Sequence, residues 1–359
     1  MRSLNKYTVT PAEEWTKLFK RNSGWFGGDG IFSFSLDGKE SFDVPKDSLI
    51  IYFSDTFIGE VIKGKPKKYK MVHNSFARYL DNGVLEFFYN LDQKGVPSSL
   101  FSPDNEVEDS YFFWLGDGFV NKDINSSIYI FAYHVKWTGD NVFDFIEPDV
   151  SIIKLKNNSH SLFNDYKILS TPLHVIHSSW GYVNFGAGIF VNTEWSGSPE
   201  PDGNIYVYGC MDKDKKMVVA RVESNKFESF NHWEYWDGEK WQGDNQKIVP
   251  ITNNVSNELS VTPLKDGRYI LIFQLMGLSD TIACRIGDSP WGPFGDVIEL
   301  YKTPESLKGL YTYNAKAHPV LSKPDKLLIS YNTITYDFWN DIKLDAHIYR
   351  PRFINLDLS

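Results

Sequence analysis

The sequence predicts an all-β protein, and within that class a five-bladed β-propeller, from two observations. Helical periodicity is nearly absent, and the strand-like segments fall into five similar groups. Only "PAEEWTKLFKR", residues 11 to 21, spaces its apolar residues as a short helix would. Elsewhere apolar and polar residues alternate with period two and are punctuated by Gly, Asn, Asp and Pro, as strands joined by turns require.

The five groups start near residues 27, 114, 180, 257 and 313. Each opens with a strand, passes a polar turn that often carries Asp-Gly or Pro-Asp, and returns as a more apolar second strand. "GGDGIFSFSLDGK…SLIIYFSD" and "NELSVTPLKDGRYILIFQL" show the pattern. Third strands follow in "MVHNSFARYL", "VSIIKLK", "KMVVARVE", "DTIACRIGDSP" and "AHIYRPRFINL". The first four groups add a fourth strand, in "VLEFFYN", "DYKILST", "HWEYWDGEKW" and "DVIELYKT". Five units of four strands make a five-bladed propeller. The fifth group runs out of chain after its third strand, while "KYTVT", residues 6 to 10, is unassigned at the other terminus. The N-terminal segment is therefore expected to supply the outermost strand of the last blade and close the ring, which removes open sheet edges. No linker or composition break divides the chain, so residues 1–359 read as one domain. A β-sandwich with appendages is the alternative arrangement.

Composition narrows the partners. The chain has 42% hydrophobic and 23% charged residues, enough to bury a large core, and its 16% aromatics favour strands and ring-stacking surfaces. A net charge of −9 argues against nucleic acid or an anionic membrane as partner. The densest basic run, "KGKPKKYK" at 63 to 70, reads as a solvated hairpin loop. Cys210 and Cys284 lie in strand-like apolar surroundings and suggest neither a disulfide framework nor a zinc site. No apolar run is long enough to span a bilayer as a helix, and "MRSLNKYTVTPAEEW" lacks the core of a signal peptide. The expectation is a cytoplasmic protein, or an exported one written without its leader.

In a propeller the first strand of each blade lines the central channel, so residues at the starts of these strands converge. They are Asp29, Asp117, Asn184, Glu258 and the segment from Asn314 to His318. Asp55 ends the second strand of the first group and is expected beside Asp29, with His73 and Asn74 facing the same rim. Aromatic residues accompany these positions, among them Trp25, Trp114, Trp180 and Tyr313. Carboxylates among aromatic rings suit a carbohydrate site, where a protonated acid assists the leaving oxygen and an ionised carboxylate activates water or attacks. Asp29, Asp55, Asp117 and Glu258 are the candidates for that chemistry. Asp117 in "WLGDGF" also reads as a turn, and Glu258 as a buried structural acid; Asp37 and Asp266 read as turns. No cofactor is expected. No HExxH or CxxC occurs, so a metal could be held only on the axis by convergence, with His318 contributing. Neither GxGxxG nor GxSxG is present.

Beyond these readings, "GWFGGDGIFSFSLDG", "IIYFSDTFIGEV", "MVHNSFA", "DSPWGPFG" and "YTYNAKAHPVLS…LLISYN" resemble the five-bladed propeller proteins grouped as domains of unknown function 4185 and 5005. The first of these is related to glycoside hydrolase family 183, the endo-D-arabinanases. The resemblance runs from about residue 22 to 335 and implies an acid and base pair at Asp29 and Asp55. Relatives usually read Gly-Asp-Thr where this chain has Ser54-Asp55-Thr56. Five-bladed glycosidases more broadly place three carboxylates around the channel, which implies Asp117 or Glu258 as a third. The expected function is hydrolysis of a furanose-containing or related polysaccharide. The alternatives are a carbohydrate-binding propeller without catalysis and, more remotely, a polysaccharide lyase using His73 and Tyr313.

Overall fold

The computed structural model describes residues 2–358 except 5, 43, 81, 104–110, 158–162, 164 and 212–213. His160 and part of the insertion at 91–112 lie outside the described residues. The protein is all-β, with one six-residue α-helix at Glu13–Leu18 and one of four residues at Phe338–Asp341 among the described residues. No helix among them is long and apolar enough to cross a membrane.

Five sheets of four or more strands follow one another along the chain. The first pairs Phe32–Ser35, Leu49–Phe53, Ser75–Tyr79 and Leu85–Phe88, all antiparallel. The second pairs Phe112–Asn121, Ser127–Trp137, Phe145–Leu155 and Tyr166–Ser170. The third runs through Gly181–Asn192, Asn204–Met211 and Lys216–Glu223 to the hairpin Glu234–Trp236 and Trp241–Gln242, and carries His174–His177 on its other edge. The fourth pairs Leu259–Pro263, Tyr269–Gln274, Thr281–Gly287 and Ile298–Lys302. In the fifth, Tyr311–Ala317, Lys326–Ile334 and Arg352–Asp357 are joined by Thr8–Pro11, whose Thr8 faces Asp357 in register.

Apolar faces pack each sheet on its neighbour. Phe34 and Phe76 of the first meet Phe113 and Ile153 of the second. Phe131 and Ile152 of the second meet Val183 and Val218 of the third. Tyr208 and Val219 of the third meet Leu259 and Phe273 of the fourth, and Ile272 and Ile282 of the fourth meet Ile329 and Ile354 of the fifth. Phe353 and Leu328 of the fifth pack with Phe53 and Ala77 of the first. Each fully buried side chain of this size contributes about 1.5–3 kcal/mol, so the stability rests mainly on these intersheet layers.

Two elements depart from the sequence reading. Ser23–Gly28, Thr56–Ile62 and Lys65–Val72 form a further three-stranded sheet that was not anticipated. The basic run is therefore a strand rather than a loop, and only Lys63 and Gly64, both at positive φ, make its turn. Its lysines are exposed while Pro66 and Val72 are buried, and a break of register between Lys67 and Lys70, with Lys68 at φ 47, leaves the neighbours Lys67 and Lys68 both outward.

Candidate active site

The first strands of the sheets are neighbours in turn, and three of them are bulged at comparable places. Register breaks between Leu115 and Gly118, between Phe185 and Gly188, and between Tyr313 and Lys316. Extra residues at a bulge kink the strand and re-aim its side chains, which suits strands converging on a crowded site. Glycine is required where they approach. A Cβ on Gly116 would lie 2.8 Å from the Gly186 carbonyl, and one on Gly27 equally close to the Tyr349 carbonyl.

The pair Asp29 and Asp55 is held by backbone. The Asp29 amide donates to the Asp55 carbonyl at 3.0 Å, and the Ser54 amide donates to the Asp29 carbonyl at 2.8 Å. Their side chains meet different surroundings. Asp55 is buried, and its Oδ1 lies 2.8 Å from His73 Nδ1. That imidazole stacks on Phe112 at 3.6 Å between centroids, while the His73 amide is tied to Ser99 Oγ. Asp29 accepts from the Tyr313 hydroxyl at 2.7 Å and also from Tyr349. Burial, and next the Asp55 charge, push Asp29 up to about 7 against the hydrogen bonds of Tyr349 and Tyr313, which favour the carboxylate.

Glu258 joins this pair. It is buried and accepts from Asn314 Nδ2 at 2.6 Å through Oε1, while Oε2 has no partner. Asn314 sits at φ 57 in the bulge of its strand, a conformation asparagine tolerates better than most residues. Burial, then the Asp29 charge, hold Glu258 well above the ordinary carboxylate range. Asp117 is not in a turn: it lies in the bulge, where its Oδ2 accepts from Lys316 Nζ at 2.7 Å and from the Ile189 amide at 2.8 Å. Both side chains of that ion pair are buried, and Lys316 also donates to the Leu259 carbonyl. Asp37 caps its own turn through Lys39, and Asp266 does so through Arg268.

Residues 12–357 match the family model described as "Domain of unknown function (DUF5005)". The chain belongs to that family. No curated protein matches this DUF5005 chain. Among solved structures it is similar to a candidate hydrolase from Bacteroides ovatus ATCC 8483, at 20% identity and TM-score 0.73 over 97% of this chain and 90% of that one. It is also similar to the exo-β-1,3-galactanase 1,3Gal43A from Clostridium thermocellum, at 9% identity and TM-score 0.50 over 91% of this chain and 58% of that one. The α-L-arabinofuranosidase PaAbf62A from Podospora anserina, solved with cellotriose, matches at 12% identity and TM-score 0.47 over 92% and 97%. At these identities the likeness is one of fold.

Three of the residues expected to bind substrate in this DUF5005 chain are taken by the fold instead. Trp25 is 1% exposed and packs among Phe19, Phe53 and Phe87, so it offers no ring face to a ligand. Trp25 and Phe26 are successive strand residues and enter different cores, Phe26 stacking on Phe57. Asn74 is wholly buried and braces the 101–113 segment, donating to the Phe101 and Phe113 carbonyls and accepting from the Phe101 amide. His318 lies between Ser33 and Ser330 at 2.9 and 2.7 Å, so both ring nitrogens are engaged and an axial metal gains no ligand from it. No group of three His, Cys, Asp or Glu among the described residues is arranged to hold a metal ion.

Asn184, Trp180 and Trp114 remain near the strand starts. Asn184 donates to Glu147 at 3.0 Å and pairs with His174 at 2.7 Å. Trp180 is 36% exposed, and Trp114 packs against Trp137 and Phe145. Glu147, His174 and Tyr349 escaped the sequence reading. His174 lies on a strand that pairs with the first strand of the third sheet. Tyr349 ends the short 3-10 turn Ala346–Tyr349, at the start of a segment read from the sequence as a third strand, whose strand begins only at Arg352.

Proposed function

We propose that this chain is a glycoside hydrolase, built as a five-bladed β-propeller whose ring is closed by Thr8–Pro11, with Asp29 and Asp55 as its acid and base. The observation that carries the reading is the contrast between two adjacent carboxylates. Asp29, raised to about 7 by burial and by Asp55, is partly protonated near neutral pH and can give that proton to a leaving oxygen. Asp55, fixed by His73, is oriented to activate water or to attack. Glu258 supplies a third carboxyl, whose unpartnered Oε2 can hydrogen-bond a substrate hydroxyl.

The cyclic order of packed sheets and the pairing of Thr8–Pro11 with Arg352–Asp357 support the ring. Trp180, Tyr182 and Tyr311, exposed by 36%, 40% and 46% near the starts of their first strands, support a sugar that stacks on aromatic faces. The substrate proposed is a polysaccharide, with arabinofuranose-containing glycans the first to test. Incubation with a polysaccharide panel that includes mycobacterial and plant arabinan should release new reducing ends, and Asp29→Asn and Asp55→Asn should abolish that release while remaining folded. Full activity in both variants overturns the assignment. Saturable glycan binding without new reducing ends replaces it with a binding protein.

A further inference from the structure

The same first strands that carry the carboxylates at their starts enclose, near their far ends, a cavity of about 670 Å³. Residues 117–119, 189–191, 260–265 and 316–317 of four successive sheets line it, together with the 40–42 segment. Asp29, Asp55, His73 and Glu258 do not. Its size is that of a small-molecule site, and its lining follows the usual rule of apolar walls with a few convergent polar groups.

Those polar groups have a definite chemistry. Lys316 and Asp117 neutralise one another, and Lys316 spends a further donor on the Leu259 carbonyl. Ser33 is engaged by His318, and Ser260 by the Ala317 amide. Glu40 and Thr262 differ from these: Glu40 Oε1 and Thr262 Oγ1 are shut off from solvent without any hydrogen-bond partner. Leaving such groups unpaired costs about 1–3 kcal/mol each, a cost that a small shift toward a guest would remove. Burial, then the neighbouring Asp117 charge, raise Glu40 well above the ordinary range against the pull of Lys316, and so favour the form that both donates and accepts. Most of the other charged groups in the lining are likewise paired, Lys265 with Asp325, Arg268 with Asp266 and Lys326 with Asp357. The cavity suits hydroxyl groups, which also donate and accept, while the exposed Phe42 offers apolar cover to carbon–hydrogen faces.

We propose that this cavity is a second binding site, separate from the Asp29 and Asp55 pair, for an uncharged hydroxylated molecule of mono- to disaccharide size. The inference rests on the cavity alone and stands or falls independently of the hydrolase reading. The test is saturation-transfer NMR and calorimetry on the full chain with D-glucose, D-galactose, L-arabinose and maltose as probes. At least one probe should bind the wild type and Asp29→Asn alike. Glu40→Leu and Thr262→Val should each weaken it by about tenfold, the size of one lost hydrogen bond, whereas Glu40→Gln, which keeps a donor and an acceptor, should bind nearly as the wild type does. Phe42→Ala, at a side chain 47% exposed, should also weaken binding and does not endanger the core. The proposal is overturned if no probe binds, if binding is lost in Asp29→Asn but intact in Glu40→Leu, or if Glu40→Gln loses as much as Glu40→Leu.

Discussion

The amide of Asp29 donates to the carbonyl of Asp55 at 3.0 Å, so the two carboxylates spring from adjoining backbone although 26 positions separate them. Neither residue can drift from the other without breaking that bond. Their side chains are then divided by what surrounds them, Asp55 toward His73 and Asp29 toward Tyr313.

That division predicts a pH profile. An acid acts while protonated, and Asp29 is held at about 7. Glycan cleavage should therefore be high below pH 7 and fall above it, approaching tenfold per pH unit on the alkaline limb. Asp29→Asn and Asp55→Asn should each cost at least about 100-fold in kcat, the low end for loss of a positioned acid or base. Initial rates against pH check both statements.

Tyr313→Phe removes a hydrogen bond that favours the Asp29 carboxylate, so the Asp29 proton becomes harder to lose. The alkaline limb should move to higher pH with the fold intact. An unmoved limb would assign that titration to another group.

Lys316→Met leaves Asp117 buried without its partner and should destabilise the protein by about 3–5 kcal/mol. The double variant Asp117→Asn, Lys316→Met should lose less than the sum of the two single changes, because the buried charge goes with its partner. Urea midpoints of the four proteins measure this coupling.

Trp25 and Trp180 should separate cleanly. Trp25→Ala empties a core position and should cost about 3–5 kcal/mol of stability. Trp180→Ala should change stability by about 0.5 kcal/mol or less and raise KM instead. Thermal unfolding together with saturation kinetics tells the two roles apart.

His318 is pushed down to about 3 by burial and by Lys316, against 6.5 when unfolded. Between those values the unfolded chain binds the extra proton, so this group's contribution to stability declines as pH falls from 6.5 toward 3. The raised carboxylates Asp29, Glu40, Asp117 and Glu258 work in the opposite sense. Comparing the pH dependence of urea stability in His318→Gln and wild type isolates the histidine, and the variant should lose less stability on acidification.

Much of the fold was legible because strand alternation is local. The segments read as "SLIIYFSD", "VLEFFYN" and "KMVVARVE" contain strands at Leu49–Phe53, Leu85–Phe88 and Lys216–Glu223. The sheet of Ser23–Gly28, Thr56–Ile62 and Lys65–Val72 was not, because its glycines and lysines dilute the apolar pattern. Within the site, Asp29 and Asp55 stood out as carboxylates beside glycines and aromatics. Glu147 and Tyr349 carried no comparable signal, since each acquires its neighbours only through contacts with distant segments.

The sequence by itself determined an all-β chain with five strand groups and acidic residues at the starts of several of them, because period two and turn residues act over a few positions. Only the tertiary structure decided what each of those residues faces. Packing with Phe19 and Phe53 took the Trp25 ring into the core, and Lys316, 199 positions along the chain, made Asp117 half of a buried ion pair. Burial beside Asp55 raised Asp29 to about 7. Such outcomes depend on desolvation and on charges brought together by sheet packing, and neither quantity exists until the sheets have met.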